Sequence, residues 1–272
     1  MLHSGLVSIT FRKLSPREIV QIVREAELDG IEWGGDVHVP PGNLQRAREV
    51  GAMTRSAGLA VAAYGSYCRV GDPSPCPFES VVETARLLGA PVIRVWAGSR
   101  RPPDADPLYW EQAVADAQRF ARLAARVGIQ LAFEFHGGTL TETGDSAERL
   151  LQKANQGFSP AVIKPSALTG QSRAPQGIGG YWQPPVGADY DTQQDGLARL
   201  LPWLVHVHVN NVTPSGYSSL AERADEWASH IATIRSTGRD HYLMVEFVKG
   251  EAPESFFEDA GVLRQLLAAP PA

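Results

Sequence analysis

The sequence predicts a single α/β domain folded as a (β/α)8 barrel, and three observations carry that prediction. Its 272 residues suit one barrel of roughly 250 residues, long enough to bury its own core. Eight short runs rich in β-branched and aromatic residues alternate with longer stretches of helical period, the pattern of βαβ units around a parallel sheet. No Gly-x-Gly-x-x-Gly turn follows the first strand, so an open nucleotide-binding sheet is disfavoured.

The strands are expected at 5–10, 30–33, 59–64, 91–97 and 129–135, within 161–183, and at 203–209 and 241–247. The first helix announces itself in Ser15-Pro16-Arg17-Glu18, where Ser15 can cap, Pro16 suits the first turn and Glu18 can reach back to the cap. Ile19, Ile22, Val23 and Ala26 form its buried stripe. A later helix, near 110–127, places Val114, Ala117, Phe120, Ala121, Ala124 and Val127 on one side and stops at Gly128. Asp29-Gly30-Ile31, Ala57-Gly58-Leu59 and Val127-Gly128-Ile129 each close a helix and open a strand. The segment 159–180 breaks the rhythm with Pro160, Pro165, Pro175 and several glycines, and reads as a loop insertion around the sixth strand. That strand is either Ala161-Val162-Ile163-Lys164 or Gly180-Tyr181-Trp182-Gln183, and the second is preferred.

Bulk properties narrow the function. With 25 Lys+Arg against 30 Asp+Glu and no long basic run, nucleic acid is an unsuitable partner. Cys68 and Cys76 do not resemble a disulfide framework or a zinc knuckle, which suits a reducing cytoplasm. The opening Met-Leu-His-Ser-Gly has no signal-peptide pattern, and no apolar run approaches the ~18 residues that span a bilayer. A soluble, cytoplasmic protein without a membrane partner is the expectation.

In a barrel the chemistry sits at the C-terminal strand ends, so polar residues that close apolar strands are the informative ones. The fifth strand ends in Phe133-Glu134-Phe135-His136, the seventh in His206-Val207-His208-Val209 and the eighth in Val245-Glu246-Phe247. An uncompensated carboxylate there is costly to bury and calls for a cation, donors or a proton. Two carboxylates and an imidazole are the donor set of Mn²⁺, Co²⁺, Mg²⁺ or Zn²⁺. The plainer reading of Glu134 is an ion pair with Arg94, and that of the histidine pair is one ring satisfied in the core. His208, nearer the strand end, is assigned as ligand, and His206 as a supporting or substrate-contacting group. Glu32, His38, Tyr67, Arg69, Arg94, Trp96 and His136 are the candidate substrate contacts. Trp33 and Tyr64 offer further ring faces, with core packing the commoner fate. Arg69, Arg94 and the Arg100-Arg101 pair can read a phosphate or carboxylate, although solvation is the default for the last two.

Gly30-Ile31-Glu32-Trp33, Ile93-Arg94-Val95-Trp96-Ala97-Gly98, Phe133-Glu134-Phe135-His136, Tyr181-Trp182-Gln183-Pro184, His206-Val207-His208 and Val245-Glu246-Phe247 stand in order at successive strand ends. Together they resemble the xylose-isomerase-like sugar phosphate isomerase/epimerase superfamily, a TIM barrel group that includes tagatose 3-epimerase and endonuclease IV. The resemblance covers nearly the whole chain. It implies a divalent metal held by Glu134, a sixth-strand residue aligned to Gln183, His208 and Glu246. Gln183 stands where such relatives carry an Asp, which removes one negative charge from the set. The resemblance also implies Glu134 and Glu246 as the acid/base pair for proton removal beside a carbonyl, a carbohydrate substrate and a possible homodimer.

Two rivals share this barrel. A metal-dependent lyase or dehydratase acting on a cyclic polyol or keto acid needs almost the same residues. A non-catalytic barrel subunit is suggested by Gln183 and by Asn210-Asn211 after His208. A DNA-repair endonuclease is disfavoured by the net charge of −5 and by only seven histidines for a multi-metal site.

Overall fold

The computed structural model describes residues 1–72, 77–158, 177–213 and 216–270. Among them, eight parallel strands close into a barrel with a helix after each. They are β1 (Leu2–Val7), α1 (Pro16–Glu25), β2 (Gly30–Gly34), α2 (Leu44–Ser56), β3 (Ala60–Arg69), α3 (Phe78–Leu88), β4 (Val92–Trp96) and α4 (Pro107–Ala125). The second half continues with β5 (Gln130–Phe133), α5 (Gly144–Asn155), β6 (Gly179–Trp182), α6 (Tyr190–Leu200), β7 (Leu204–Val209), α7 (Ala224–Arg235), β8 (His241–Val245) and α8 (Pro253–Ala268). Neighbours in sequence are neighbours in the sheet. Closure comes from β1 on β8, with Leu2 opposite His241 and Leu6 opposite Val245.

Local signals explain most boundaries. Ser15 and Glu18 form the expected reciprocal capping box, satisfying two backbone donors that a helix start leaves open. Gly58 and Gly128 take the left-handed conformation after α2 and α4, where a side chain would be strained. After α1, Glu27 rather than Gly30 adopts it, at φ 54°. Gly30 is instead a strand residue whose missing side chain admits the Tyr242 ring, since a Cβ there would lie 2.8 Å from Cε1.

Three expectations are corrected. β1 is Leu2–Val7 and not 5–10, because Ser8–Phe11 forms a buried 3-10 turn whose apolar residues read as strand. In α1, Val20 joins the buried stripe, in which Ile22 is only partly buried against the core, and Val127 beyond α4 is 41% exposed. Cys68, buried on β3, is disulfide-bonded, and no described cysteine is a free thiol; a single link needs no framework of spaced cysteines. Cys76 lies outside the described residues, as do 159–176 of the expected insertion and the alternative sixth strand at 161–164. The preferred sixth strand, 180–183, lies one residue from the observed β6.

A two-residue-per-strand hairpin, Val212–Thr213 with Gly216–Tyr217, follows β7 at the mouth of the barrel. No described helix is long and apolar enough to cross a membrane.

Candidate metal centre and active site

Glu134 and Glu246 each stand one residue beyond an apolar strand, β5 and β8, and His208 lies near the end of β7. Their ligand atoms lie within 4.8 Å of one another, all three residues buried. Nδ1 of His208 is 3.2 Å from Oε2 of Glu246 and 3.5 Å from Oε1 of Glu134, within ion-pair range of both when the ring is protonated, yet in hydrogen-bond geometry with neither. A buried nitrogen left without a hydrogen bond between two carboxylates fits a cation, which would draw all three atoms to one point. Glu134, His208 and Glu246 are therefore a group that can hold a metal ion.

The opposite edge of His208 faces Oε2 of Glu32, at 3.5 Å from Nε2. Glu32 is fully buried, and its Oε1 accepts from Arg94 Nε at 2.6 Å. Arg94 then reaches across: its Nη1, together with Trp96 Nε1, donates to Oε2 of Glu134. Glu134 thus divides its oxygens. Oε2 serves the arginine and the indole, while Oε1 faces His208 and receives Gln183 Nε2 at 3.3 Å. The ion pair with Arg94 and the metal-facing position coexist on one carboxylate.

Charge states follow from these contacts. Burial alone would raise the Glu32 carboxyl, but Arg94 and then His208 overcome it and hold it at about 2. Burial also opposes ionisation of Glu134, and again Arg94 outweighs it, keeping its carboxyl well below the usual range. Burial disfavours the His208 cation, but Glu246, Glu32 and Glu134 keep the metal-free imidazole protonated well above its ordinary value. A bound divalent ion must displace that proton.

Room for this network is made by glycine. A Cβ on Gly65 of β3 would lie 2.6 Å from Arg94 Nη2 and 2.7 Å from Glu32 Oε1. Only a residue without a side chain lets the guanidinium cross the barrel.

The remaining expected residues separate into a rim and a core. Tyr67, Arg69, Trp96, His136 and Gln183 are half-buried at the mouth. The Trp96 ring is 5.7 Å from Tyr67, stacks with His136 at 4.6 Å and carries Arg69 at 3.8 Å. His38 does not join them. Its Nε2 donates to the carbonyl of Leu14 (3.1 Å), so Nδ1 accepts from Ser8 Oγ (2.9 Å), and the ring pins the loop after β2 to the turn after β1. Glu32 likewise serves His208 and Arg94 from full burial, which leaves it no exposed edge for substrate. His206 is buried with Nδ1 accepting from the Tyr242 backbone, and burial, then His241, pushes it down to about 3. It is a neutral core histidine. Trp33 donates to Thr54 Oγ1 and Tyr64 to the carbonyl of Val39, so both are core residues. Arg100 and Arg101 are exposed and pair with Asp106 and Glu142.

Gln183 meets the cluster through its nitrogen, which also donates to the Phe135 carbonyl at 2.7 Å. With acceptors on both sides, this orientation presents a donor to Glu134. Phe247 belongs to a visible strand-end phrase, but nothing in its residue type signals its φ of 57°, which is held by Thr10 Oγ1 accepting its N–H (3.0 Å). Strained backbone of this kind concentrates at functional sites. The Phe247 ring lies 5.1 Å from Tyr217 of the hairpin, giving the β7–β8 side of the mouth an aromatic wall. Tyr181, whose strand-end phrase was visible, meets His208 edge-on at 5.2 Å.

The profile of the xylose isomerase-like TIM barrel family matches residues 20–266. The chain belongs to that family. No curated protein matches the sequence. Among solved structures of this xylose isomerase-like fold, the chain is similar to a probable 3-DHS dehydratase involved in petrobactin synthesis from Bacillus anthracis, with TM-score 0.72, 21% identity and coverage of 97% and 99% of the two chains. It is similar to a xylose isomerase-like TIM barrel protein from Mycobacterium smegmatis in complex with magnesium (TM-score 0.70, 14% identity, 97% and 96% covered). It is also similar to a D-psicose 3-epimerase with D-tagatose from Clostridium cellulolyticum H10 (TM-score 0.69, 11% identity, 97% and 98% covered). At these identities the likeness is one of fold.

Proposed function

We propose that this xylose isomerase-like barrel is a divalent-metal-dependent isomerase of a carbohydrate-like hydroxy-carbonyl compound. The observation that carries the reading is Nδ1 of His208, buried without a hydrogen bond between Glu134 and Glu246. When bound, a divalent cation supplies the positive charge that acidifies a C–H beside a carbonyl and stabilises the enediolate left behind.

The chain's own groups have unequal roles. Glu134, already holding Arg94 and Trp96 on one oxygen, is a weak base and acts as ligand. Glu246, which no described donor engages by hydrogen bond, is the group to take the proton and return it to the neighbouring carbon. Gln183 steadies Glu134, and a fourth ligand from its amide oxygen would require the side chain to turn. Tyr67 and His136 lie where substrate hydroxyls would enter.

A second reading is favoured by the same inequality. Epimerisation by proton exchange on opposite faces needs two competent bases, whereas elimination of water needs one base and one acid. Dehydration of a hydroxy-carbonyl substrate can be served by Glu246 alone, which takes the proton beside the carbonyl and, as the carboxylic acid, returns it to the departing hydroxyl so that the C–H and C–O bonds break, a C=C bond forms and water leaves; the B. anthracis neighbour is a probable dehydratase. The test is incubation of Mn²⁺-loaded protein with a panel of ketoses and cyclic hydroxy-ketones in D2O. Deuterium on the carbon beside the carbonyl, abolished by Glu246→Gln, is the expected result. Loss of water with a new chromophore selects the dehydratase, and absence of both contradicts metal-assisted proton transfer on these substrates.

A further inference from the structure

One arginine at the mouth differs from the other arginines of the strand ends and the loops that follow them. Arg12, Arg94, Arg100, Arg101 and Arg223, carried by the strand ends and the loops that follow them, each face a carboxylate. Arg69, at the end of β3, pairs with none among the described residues. Asp72 is close in sequence, but its Oδ1 accepts from Ser99 and Tyr109 instead.

Arg69 is nevertheless held in place. Its guanidinium carbon lies 3.8 Å from the Trp96 ring centroid, and Nη1 donates to the Gly98 carbonyl at 2.9 Å. Stacking and one neutral acceptor orient the planar fork without cancelling its charge. The Nε–Nη2 edge makes no hydrogen bond among the described residues. Trp96 in turn donates to Glu134, so the cation stands one indole away from the metal-facing carboxylate.

Asp72 and Glu134 act on the charge of Arg69 from a distance, but neither forms an ion pair with it, so the open edge of the guanidinium is left for an anionic partner. Trp96 already carries both Arg69 and His136 against its ring. We infer that Arg69 anchors an anionic group of the substrate, a carboxylate or a phosphate, while the hydroxy-carbonyl end lies at Glu134, His208 and Glu246. The placement of that second end rests on the proposed function; the anion anchor does not.

The experiment is calorimetric titration of Mn²⁺-loaded and chelator-treated protein with D-gluconate, D-glucose 6-phosphate and uncharged D-sorbitol. It is repeated on Arg69→Gln and Arg69→Lys, with metal content measured on every sample. At least one anion is expected to bind about tenfold or more tightly than sorbitol, in line with a charge-assisted hydrogen bond. Arg69→Gln should erase that preference and leave sorbitol binding and metal content unchanged. Arg69→Lys should keep part of it, since it retains charge but not the fork. Gluconate ahead of the phosphate identifies a carboxylate substrate, and the reverse order a phosphorylated one. Equal binding of anions and sorbitol, no saturable anion binding, or a preference that survives Arg69→Gln overturns the inference. An Arg69-dependent preference in protein that retains no metal supports the anchor and contradicts the metal reading alone.

Discussion

The two sides of the candidate centre are built differently. On the β4–β5 side, Arg94 and Trp96 supply donors to Glu134, and Glu32 closes the other end of Arg94. On that side every carboxylate already has a fixed donor, Arg94 serving both Glu32 and Glu134. On the β7–β8 side, His208 Nδ1 and Glu246 stand 3.2 Å apart without hydrogen-bond geometry, an ion pair that lasts only while the ring keeps its proton. The contrast separates scaffold from reactive group: one glutamate is fixed by fixed charges, and the other is left for a cation and a proton.

If the first side is scaffold, breaking it should cost stability more than anything else. Arg94→Met strands two buried carboxylates and is expected to destabilise the fold by about 3–5 kcal/mol, read from urea unfolding. A loss under about 1 kcal/mol would mean that Glu32 and Glu134 are balanced some other way. The second side should show the opposite behaviour. Glu246→Gln is expected to weaken Mn²⁺ binding by about a hundredfold or more while urea stability stays within about 1 kcal/mol of wild type.

Gly65→Ala tests whether the crossing of Arg94 is as tight as it stands. The new Cβ would press on a guanidinium pinned at both ends, for a cost of about 1–3 kcal/mol. Acidity sharpens the comparison further. His208 holds its proton above the ordinary histidine range in the metal-free protein, and ligation needs the neutral ring. Mn²⁺ affinity should therefore rise with pH, by about tenfold per unit below the His208 value. Glu32, at about 2 against an ordinary 4.5, contributes stability that is present above pH 4.5 and lost as pH falls toward 2. The smallest effect is expected from His38→Gln, which should lower stability by about 1 kcal/mol without changing substrate KM.

Much of this centre was legible in one dimension. Glu134, His208 and Glu246 stood out because each is polar at the end of an apolar strand, a pattern only a compensated site tolerates. Whether Glu134 was a ligand or Arg94's partner could not be decided from the residue order, since each of its two oxygens takes one role. Glu32 read as a substrate contact because it stood at the expected end of β2, and His38 because it follows that strand. Their partners here, Arg94 and His208 for Glu32 and Ser8 and Leu14 for His38, come from other strands and loops and carry no local signal in sequence. The early end of β1 was obscured by the apolar 3-10 turn, and Phe247's left-handed backbone carries no residue-type signal. Arg69 was visible as a cation, but its lack of a partner emerges only when the other arginines are seen paired.

The most direct test of the centre is elemental mass spectrometry on protein purified without added metal or chelator, beside Glu246→Gln. The account predicts about one divalent transition-metal ion per wild-type chain, lost in the variant. Wild type that holds no metal, even after incubation with Mn²⁺ or Co²⁺, would contradict it.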